Sequence, residues 1–270
     1  MSQNILIIIQ SRMASSRLPG KVMMPLLDKS LLARMVERVQ QIRYPAGIVI
    51  ATSVNPEDDV IETEAENIGV PCFRGSLNNL LERHYLAAVK HNADIILKIP
   101  SDCPLIDPRV IDCVLGFFLE NADQYDYVSN LHPATWPDGN DVEVMTMNCL
   151  ETAWRSAVRP LELEHTTPYI WENPGKFRIG NVKWSSGKDY SMSYRFTIDY
   201  LEDYHLIKQV YERLYYKKGC FSCDDIINLL IREPELYDIN AEYIGVNWYR
   251  HHLDELSTIS ANQTKIVHAQ

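Results

Sequence analysis

Short apolar runs alternating with helical periodicity, repeated through the first 130 residues, constrain this chain more than any other feature. The alternation predicts an α/β fold: a mostly parallel sheet in a Rossmann-like, three-layer arrangement with helices on both faces. Four strands are expected, at Asn4 to Gln10, Ile48 to Thr52, Val70 to Phe73 and Asp94 to Ile99, each bounded by Gly, Pro, Asn or Ser. Helix starts lie between them. Ser30 precedes Leu31, Leu32, Met35, Val36 and Val39; Asn55-Pro56 precedes Val60, Ile61, Ala65 and Ile68; Asp107-Pro108 precedes Val110, Ile111, Val114 and Leu115.

From about Tyr125 the pattern loosens through Pro133, Pro137 and Gly139. Residues 131–185 read as an inserted arm for acceptor binding and dimerisation. It holds a strand over Asp141 to Met147, helices over Cys149 to Ala157 and Leu161 to Glu172, and a strand over Phe177 to Trp184. Trp136, Trp154, Tyr169 and Trp171 within it suggest a homodimer contact, because aromatics are enriched at interfaces. Arg195 to Ile198 is expected back in the core, followed by a long helix from Tyr200 to Tyr216, so that the main domain covers residues 1–218. A helical extension over 219–255 contains a helix from Ser222 to Leu236. The polar tail, 256–270, is expected to be disordered.

At 270 residues, 46% of them hydrophobic, the chain can bury one sizeable core. Its net charge of −10 excludes a dedicated nucleic-acid binder, which needs clustered cations. The run Ile5 to Ile9 is too short to span a bilayer, so no membrane partner and a cytoplasmic location are expected. Four of the six cysteines lie in apolar stretches, and Cys220 and Cys223 form a lone CxxC without a second pair, so no disulfide framework or zinc site is read from them.

The chemistry-bearing segment follows the first strand directly: Gln10-Ser11-Arg12-Met13-Ala14-Ser15-Ser16-Arg17-Leu18-Pro19-Gly20-Lys21. Small residues let backbone amides approach an anion, and Arg12, Arg17 and Lys21 can neutralise a nucleotide's phosphates. Neither a Walker loop nor GxGxxG can be drawn here. An ordinary connection with solvated cations is the plainer reading, which three cations in twelve residues disfavour. Two aspartates also end apolar runs: Asp102 in Ser101-Asp102-Cys103-Pro104-Leu105, and Asp199 after Arg195-Phe196-Thr197-Ile198. On periodicity alone each is better read as a helix N-cap.

These motifs resemble the cytidylyltransferases, whose first loop reads A-R-x-G-S-x-R-L-P-x-K. Within them Ile8 to Val22 is similar to the opening of the group typified by spore coat polysaccharide biosynthesis protein F, with Ser11 for the usual Ala and Ala14 for Gly. The resemblance runs from about residue 4 to 240. It implies that Asp102, in the family's G-D-x-P-L motif with Ser101 for Gly, and Asp199, in its D-x-x-E-D motif, hold Mg²⁺, while Asp203 serves the helix dipole.

It further implies catalytic roles for Arg12, Lys21 and Asp102. Nucleotide binding falls to Gln10 through Arg17, Lys21, Thr52, Arg74, Ser101 and Asp102. Phe73-Arg74-Gly75-Ser76 and Leu80-Leu81-Glu82-Arg83 also match family pattern, which implies that they help hold the nucleotide. Acceptor binding falls to Asp141, Glu143, Glu164 and His165, in segments similar to the family's, with Asn140 departing from the usual Leu. The implied reaction is Mg²⁺-dependent transfer of CMP from CTP to a sugar acid or sugar-like phosphate. Two alternatives stand beside it: a nucleotide-sugar-dependent glycosyltransferase, disfavoured because the chain has no D-x-D pair, and a non-catalytic nucleotide-binding relative.

Overall fold

The computed structural model describes residues 3–265. Its first half runs β1 (Ile5–Gln10), a ribbon of β2 (Pro25–Leu26) and β3 (Lys29–Ser30), α1 (Leu31–Val39), β4 (Gly47–Ser53), α2 (Asp59–Asn67), β5 (Cys72–Gly75), α3 (Leu80–Lys90), β6 (Ile95–Pro100), and α4 (Pro108–Glu120). The second half runs β7 (Tyr127–Ser129), β8 (Glu143–Thr146), α5 (Met147–Ser156), α6 (Pro160–His165), α7 (Pro168–Trp171), β9 (Ile179–Asn181), α8 (Leu201–Lys218), α9 (Cys223–Arg232) and α10 (Pro234–Tyr237).

Seven strands form one sheet in the order β5-β4-β1-β6-β8-β7-β9, and only β8 runs antiparallel to its neighbours. Strand β1 shows how the aliphatic run produces this. Successive side chains leave opposite faces, so Ile5, Ile7 and Ile9 pack with Met35, Val36, Ile61 and Val114, while Leu6 and Ile8 pack with Leu81, Ala87, Leu150 and Ala153. The first set belongs to α1, α2 and α4 and the second to α3 and α5, which makes three layers. A third core, built on Phe196, Ile198 and the inner faces of α8 and α9, lies beside the sheet.

Gln10 of β1 pairs with Ala51 of β4 on one side and with Pro100 of β6 on the other. The chain leaves β1 toward β4 and β5 and later returns to place β6 on the opposite side, so a crevice opens at the carboxyl ends of β1 and β6.

Three expectations are corrected. Residues 131–185 do not stand apart as an arm: β8 and β9 join the same sheet, because Val142, Val144 and Val182 bury in its core. Trp136, Tyr169 and Trp171 are buried within the chain, so these three rings are not an exposed dimer surface, while half-buried Trp154 stacks on Tyr85. The tail is not free as far as residue 265, since Leu256 and Ile259 pack into the second core; residues 266–270 of it lie outside the described residues. Two expected helices are each broken: one at Thr166, which takes φ 73°, and the other at Glu233 before Pro234.

Candidate active site

The loop after β1 is folded by its own backbone. The Met13 carbonyl accepts from Ser15 N and Gly20 N, both at 2.9 Å, and Gly20 takes φ 71° to start the turn Lys21–Met23. A side chain there would be strained. Met13 N donates to Asp58 Oδ1 at 2.7 Å, and buried Asp58 also accepts from Ser53 N, which ties the loop to the end of β4. Ala14 is not among the described non-glycine residues with positive φ, so its Cβ is accommodated.

This fold turns Lys21 inward. Its ammonium donates to Asp199 Oδ1 at 2.9 Å, to Asp102 Oδ2 at 3.2 Å and to the Ile198 carbonyl at 2.5 Å. One cation therefore bridges two carboxylates that lie 97 positions apart in the chain, as their numbers show. Burial acts to lower the Lys21 pKa, but the charges of Asp102 and Asp199 outweigh it and hold the pKa above its usual value.

Asp199 comes within reach of Asp102 through a backbone splice. The Asp102 carbonyl accepts from Ile198 N at 2.8 Å and from Thr197 Oγ1 at 3.0 Å, while Phe196 N donates to Asp138 O at 2.7 Å. Asp199 is then fixed from both sides. Arg17 Nη2 lies 2.7 Å from Oδ1, and Arg195 Nη2 donates to Oδ2 at 2.9 Å. Burial works to raise the Asp199 pKa, and the cations Lys21, Arg17 and Arg195 overcome it, leaving it below the ordinary carboxylate value.

Behind Asp199, the fully buried Arg195 also pairs with Asp203 and Asp138 and donates to Val246 O. Asp203, expected as a helix-dipole carboxylate, is a buried hub: it accepts from the amides of Asp199 and Tyr200 as well as from Arg195 and Asn240.

A large cleft opens over this cluster. Among the predicted residues, Gln10, Ser11, Arg12, Ser15, Ser16, Arg17, Lys21, Ser101, Asp102, Asp141, Glu143, Glu164, His165 and Asp199 line it. Burial, with the charge of Asp102 added, pushes the Asp141 pKa upward; burial also pushes up that of Asp138, with Asp141 and Asp199 adding to the effect. Glu143 forms the floor, 3% exposed, held by Lys98 and by the Tyr127 hydroxyl at 2.5 Å. Arg12 reaches away from the two aspartates, toward Glu164 at 3.9 Å. The His165 ring stacks on Trp248 at 3.8 Å between centroids.

Four predicted residues do not line the cleft. Met13 and Ala14 shape the loop instead. Thr52 is fully buried. Arg74 faces the other way because Asp59 and Glu62 of α2 and the carbonyls of Ser53 and Asn55 satisfy its guanidinium.

Several cleft-lining polar atoms are buried without a hydrogen-bond partner among the described residues: Gln10 Oε1, Ser11 Oγ, Arg83 Nε and Nη1, and Arg250 Nη1. Arg83 is 2% exposed. A buried guanidinium in that state costs several kcal/mol unless a ligand answers it (about 1–3 kcal/mol or more per unsatisfied group). Such a group marks a position where a ligand's acceptors belong.

The comparisons with known proteins agree with this geometry. The family model described as cytidylyltransferase matches residues 6–226. The chain belongs to the cytidylyltransferase family. This cytidylyltransferase is 33% identical to the spore coat polysaccharide biosynthesis protein SpsF of Bacillus subtilis, over 86% of this chain and 96% of that one. The solved structure of a cytidylyltransferase from Leptospira borgpetersenii superposes with TM-score 0.82 at 35% identity, covering 87% of this chain and 97% of the other. A CMP:2-keto-3-deoxy-manno-octonic acid synthetase complexed with CTP shares the fold at 15% identity, with TM-score 0.59, over 78% of this chain and 99% of that one. The family assigns the enzyme class, a nucleotidyltransferase.

Arg83, in a segment that the resemblance tied to the nucleotide, lines the cleft. One part of this cytidylyltransferase's cleft carried no mark in the sequence. Residues 245–252, with Ser260, Asn262 and Gln263, close the far side of the cleft, and their sequence shows neither helical nor strand period.

Proposed function

We propose that the cleft binds CTP with Mg²⁺ and transfers CMP to a sugar-like acceptor, releasing pyrophosphate. The observation that carries this is the convergence of Asp102, Asp199, Lys21 and Arg17 at the carboxyl ends of β1 and β6. Two hard carboxylates that can share one cation fit Mg²⁺, which takes one or two protein carboxylates and completes its shell with phosphates and water. Asp102 and Asp199 would hold the ion, and when bound it neutralises charge on the phosphates.

The chain's own residues do the rest. Arg17 and the amides of residues 11–16 hold the triphosphate, and Arg83 supplies donors to the nucleotide from the opposite wall. An acceptor oxygen attacks the α-phosphorus in line; the bond to the bridging oxygen of pyrophosphate breaks and the electron pair leaves with it. No protein nucleophile is required, so catalysis comes from positioning and charge neutralisation. Asp138 and Asp141, whose pKa values are raised, face the acceptor side and suit contacts with hydroxyl groups.

The name of the Bacillus relative supports a place in polysaccharide synthesis. Within the described residues no helix is long and apolar enough to cross a membrane, in keeping with a cytoplasmic reaction on soluble substrates. The test is pyrophosphate release from CTP against pooled sugar acids and sugar phosphates, with Mg²⁺. Lys21→Ala and Asp102→Asn should each lower kcat by about 10²–10³-fold, the loss typical of one charge-stabilising group. Arg74→Ala should stay near the native rate. Native turnover in either of the first two variants removes the assignment.

A further inference from the structure

The segment 245–263, a strap beyond the residues that the family model matches, forms one wall of the cleft. It is built in rather than draped. Leu256 and Ile259 are buried, Asn247 Nδ2 donates to Gln263 O at 2.9 Å, and Arg159 Nη1 donates to Glu255 O at 2.9 Å. Val246 O accepts from Arg195, the same guanidinium that fixes Asp199.

Arg250 is the unusual residue of this strap. Its Nη2 donates to the Tyr200 hydroxyl at 3.3 Å, and its Nη1 is buried without a hydrogen-bond partner among the described residues. Arg17 lies over the ring of the same Tyr200, 5.6 Å from the centroid, and this tyrosine follows Asp199 directly. With Arg195, 5.8 Å from the same centroid, three guanidiniums thus surround one tyrosine at the rim of the cleft. Arg17 and Arg195 are answered by Asp199, while Arg250 has a donor left over. Burying an arginine donor costs free energy unless an acceptor meets it.

We propose that Arg250 is an oxyanion receptor, through which the strap binds a phosphate or carboxylate group during the reaction. The assignment rests on the nucleotidyl-transfer reading. Two sources share this chemistry: the leaving pyrophosphate of the nucleotide, and an acidic group on the acceptor. Tyr200 holds the guanidinium from one side, and the strap's fastenings keep it at the rim when the cleft is empty. The ligand therefore meets a preformed donor.

Calorimetric titrations of the full chain with Mg²⁺, using CMP, CTP and inorganic pyrophosphate, separate the possibilities when combined with acceptor kinetics on 3-deoxy-manno-octulosonate and sugar phosphates. For Arg250→Ala, affinity for CTP and pyrophosphate lower by about ten-fold or more, with CMP unchanged, identifies the leaving group as the source. A comparable rise confined to the acceptor KM identifies the acceptor. Arg250→Lys should recover part of either effect, which a purely structural role would not produce. Native affinity for CTP and pyrophosphate together with a native acceptor KM in Arg250→Ala overturns the proposal, whatever happens to the melting temperature. If the native protein binds pyrophosphate but not CMP or CTP, the nucleotide reading fails on its own, and the pyrophosphate arm still decides Arg250.

Discussion

Arg195 shows how much of this site rests on a residue buried behind its carboxylates. Its guanidinium is 0% exposed and touches three carboxylates, Asp138, Asp199 and Asp203, besides the Val246 carbonyl. Such a group holds geometry, and its own pKa stays high: burial acts against the charge, but Asp138 and Asp203 outweigh it. Removing it leaves uncompensated buried acids, which costs about 3–5 kcal/mol. Arg195→Met should therefore shift the denaturant midpoint markedly downward and abolish turnover, because Asp199 loses the partner on its Oδ2. Arg195→Lys keeps the charge but not the fork of directed donors, so it should fall between the two in both stability and kcat. A methionine variant of native stability would show that the network contributes little. Arg74 is the converse: assigned to the nucleotide by its motif, it is spent on Asp59 and Glu62, acids on the face of α2 that its position in the motif did not reveal.

At the scale of elements, the site depends on how closely the Asp138–Asp141 turn approaches the segment carrying Asp199. Gly139 takes φ +99°, and a Cβ there would meet Phe196 C and Thr197 N at 2.6 Å. Gly139→Ala cannot be absorbed by a flexible side chain, since the obstruction is backbone. It should strain the turn by about 1–3 kcal/mol and push residues 196–199 from Asp102, so that kcat falls together with the melting temperature. A Gly139→Ala enzyme with native kcat would show that the splice tolerates displacement. Elements of this kind also explain what the sequence could and could not disclose. β1, β4 and β6 were legible because short, mostly aliphatic runs bounded by turn residues have one destination, and the loop after β1 was legible through its cations. β7, three residues long, offers no period to read. The break between α6 and α7 hides inside side chains that still look helical, because the kink is a backbone event at Thr166. Asp102 and Asp199 were marked by motif, yet their meeting depends on a splice to the Asp102 carbonyl that leaves no trace in side-chain pattern.

Over the whole molecule, the cleft is complete only because the chain returns to it once more after the segment around Asp199, when the strap supplies the last wall. Its outer end is fastened by one carboxylate. Glu172 accepts from Ser257 N and Oγ at 2.7 Å and from Thr258 N at 2.8 Å, and it also binds the Thr258 hydroxyl. Burial acts to raise the Glu172 pKa, but the hydrogen bonds from Thr258 and Ser257 prevail, so the pKa is lower folded than unfolded. A depressed carboxylate pKa stabilises the folded state above the unfolded value, about 4.3 for glutamate, and that contribution is lost as pH falls through the folded value. Strap docking should accordingly be intact at neutral pH and weaken below about pH 4. Glu172→Ala should reproduce the loosening at neutral pH. Amide exchange at Ser257 and Thr258 should then accelerate by about ten-fold or more, as expected when charge-assisted bonds of about 1.5–3 kcal/mol are lost. β1, β4 and β6 should keep their native protection, since no strand bond depends on Glu172. Unchanged exchange at those two amides in Glu172→Ala would mean that Leu256 and Ile259 hold the strap unaided, and that the wall does not depend on this carboxylate.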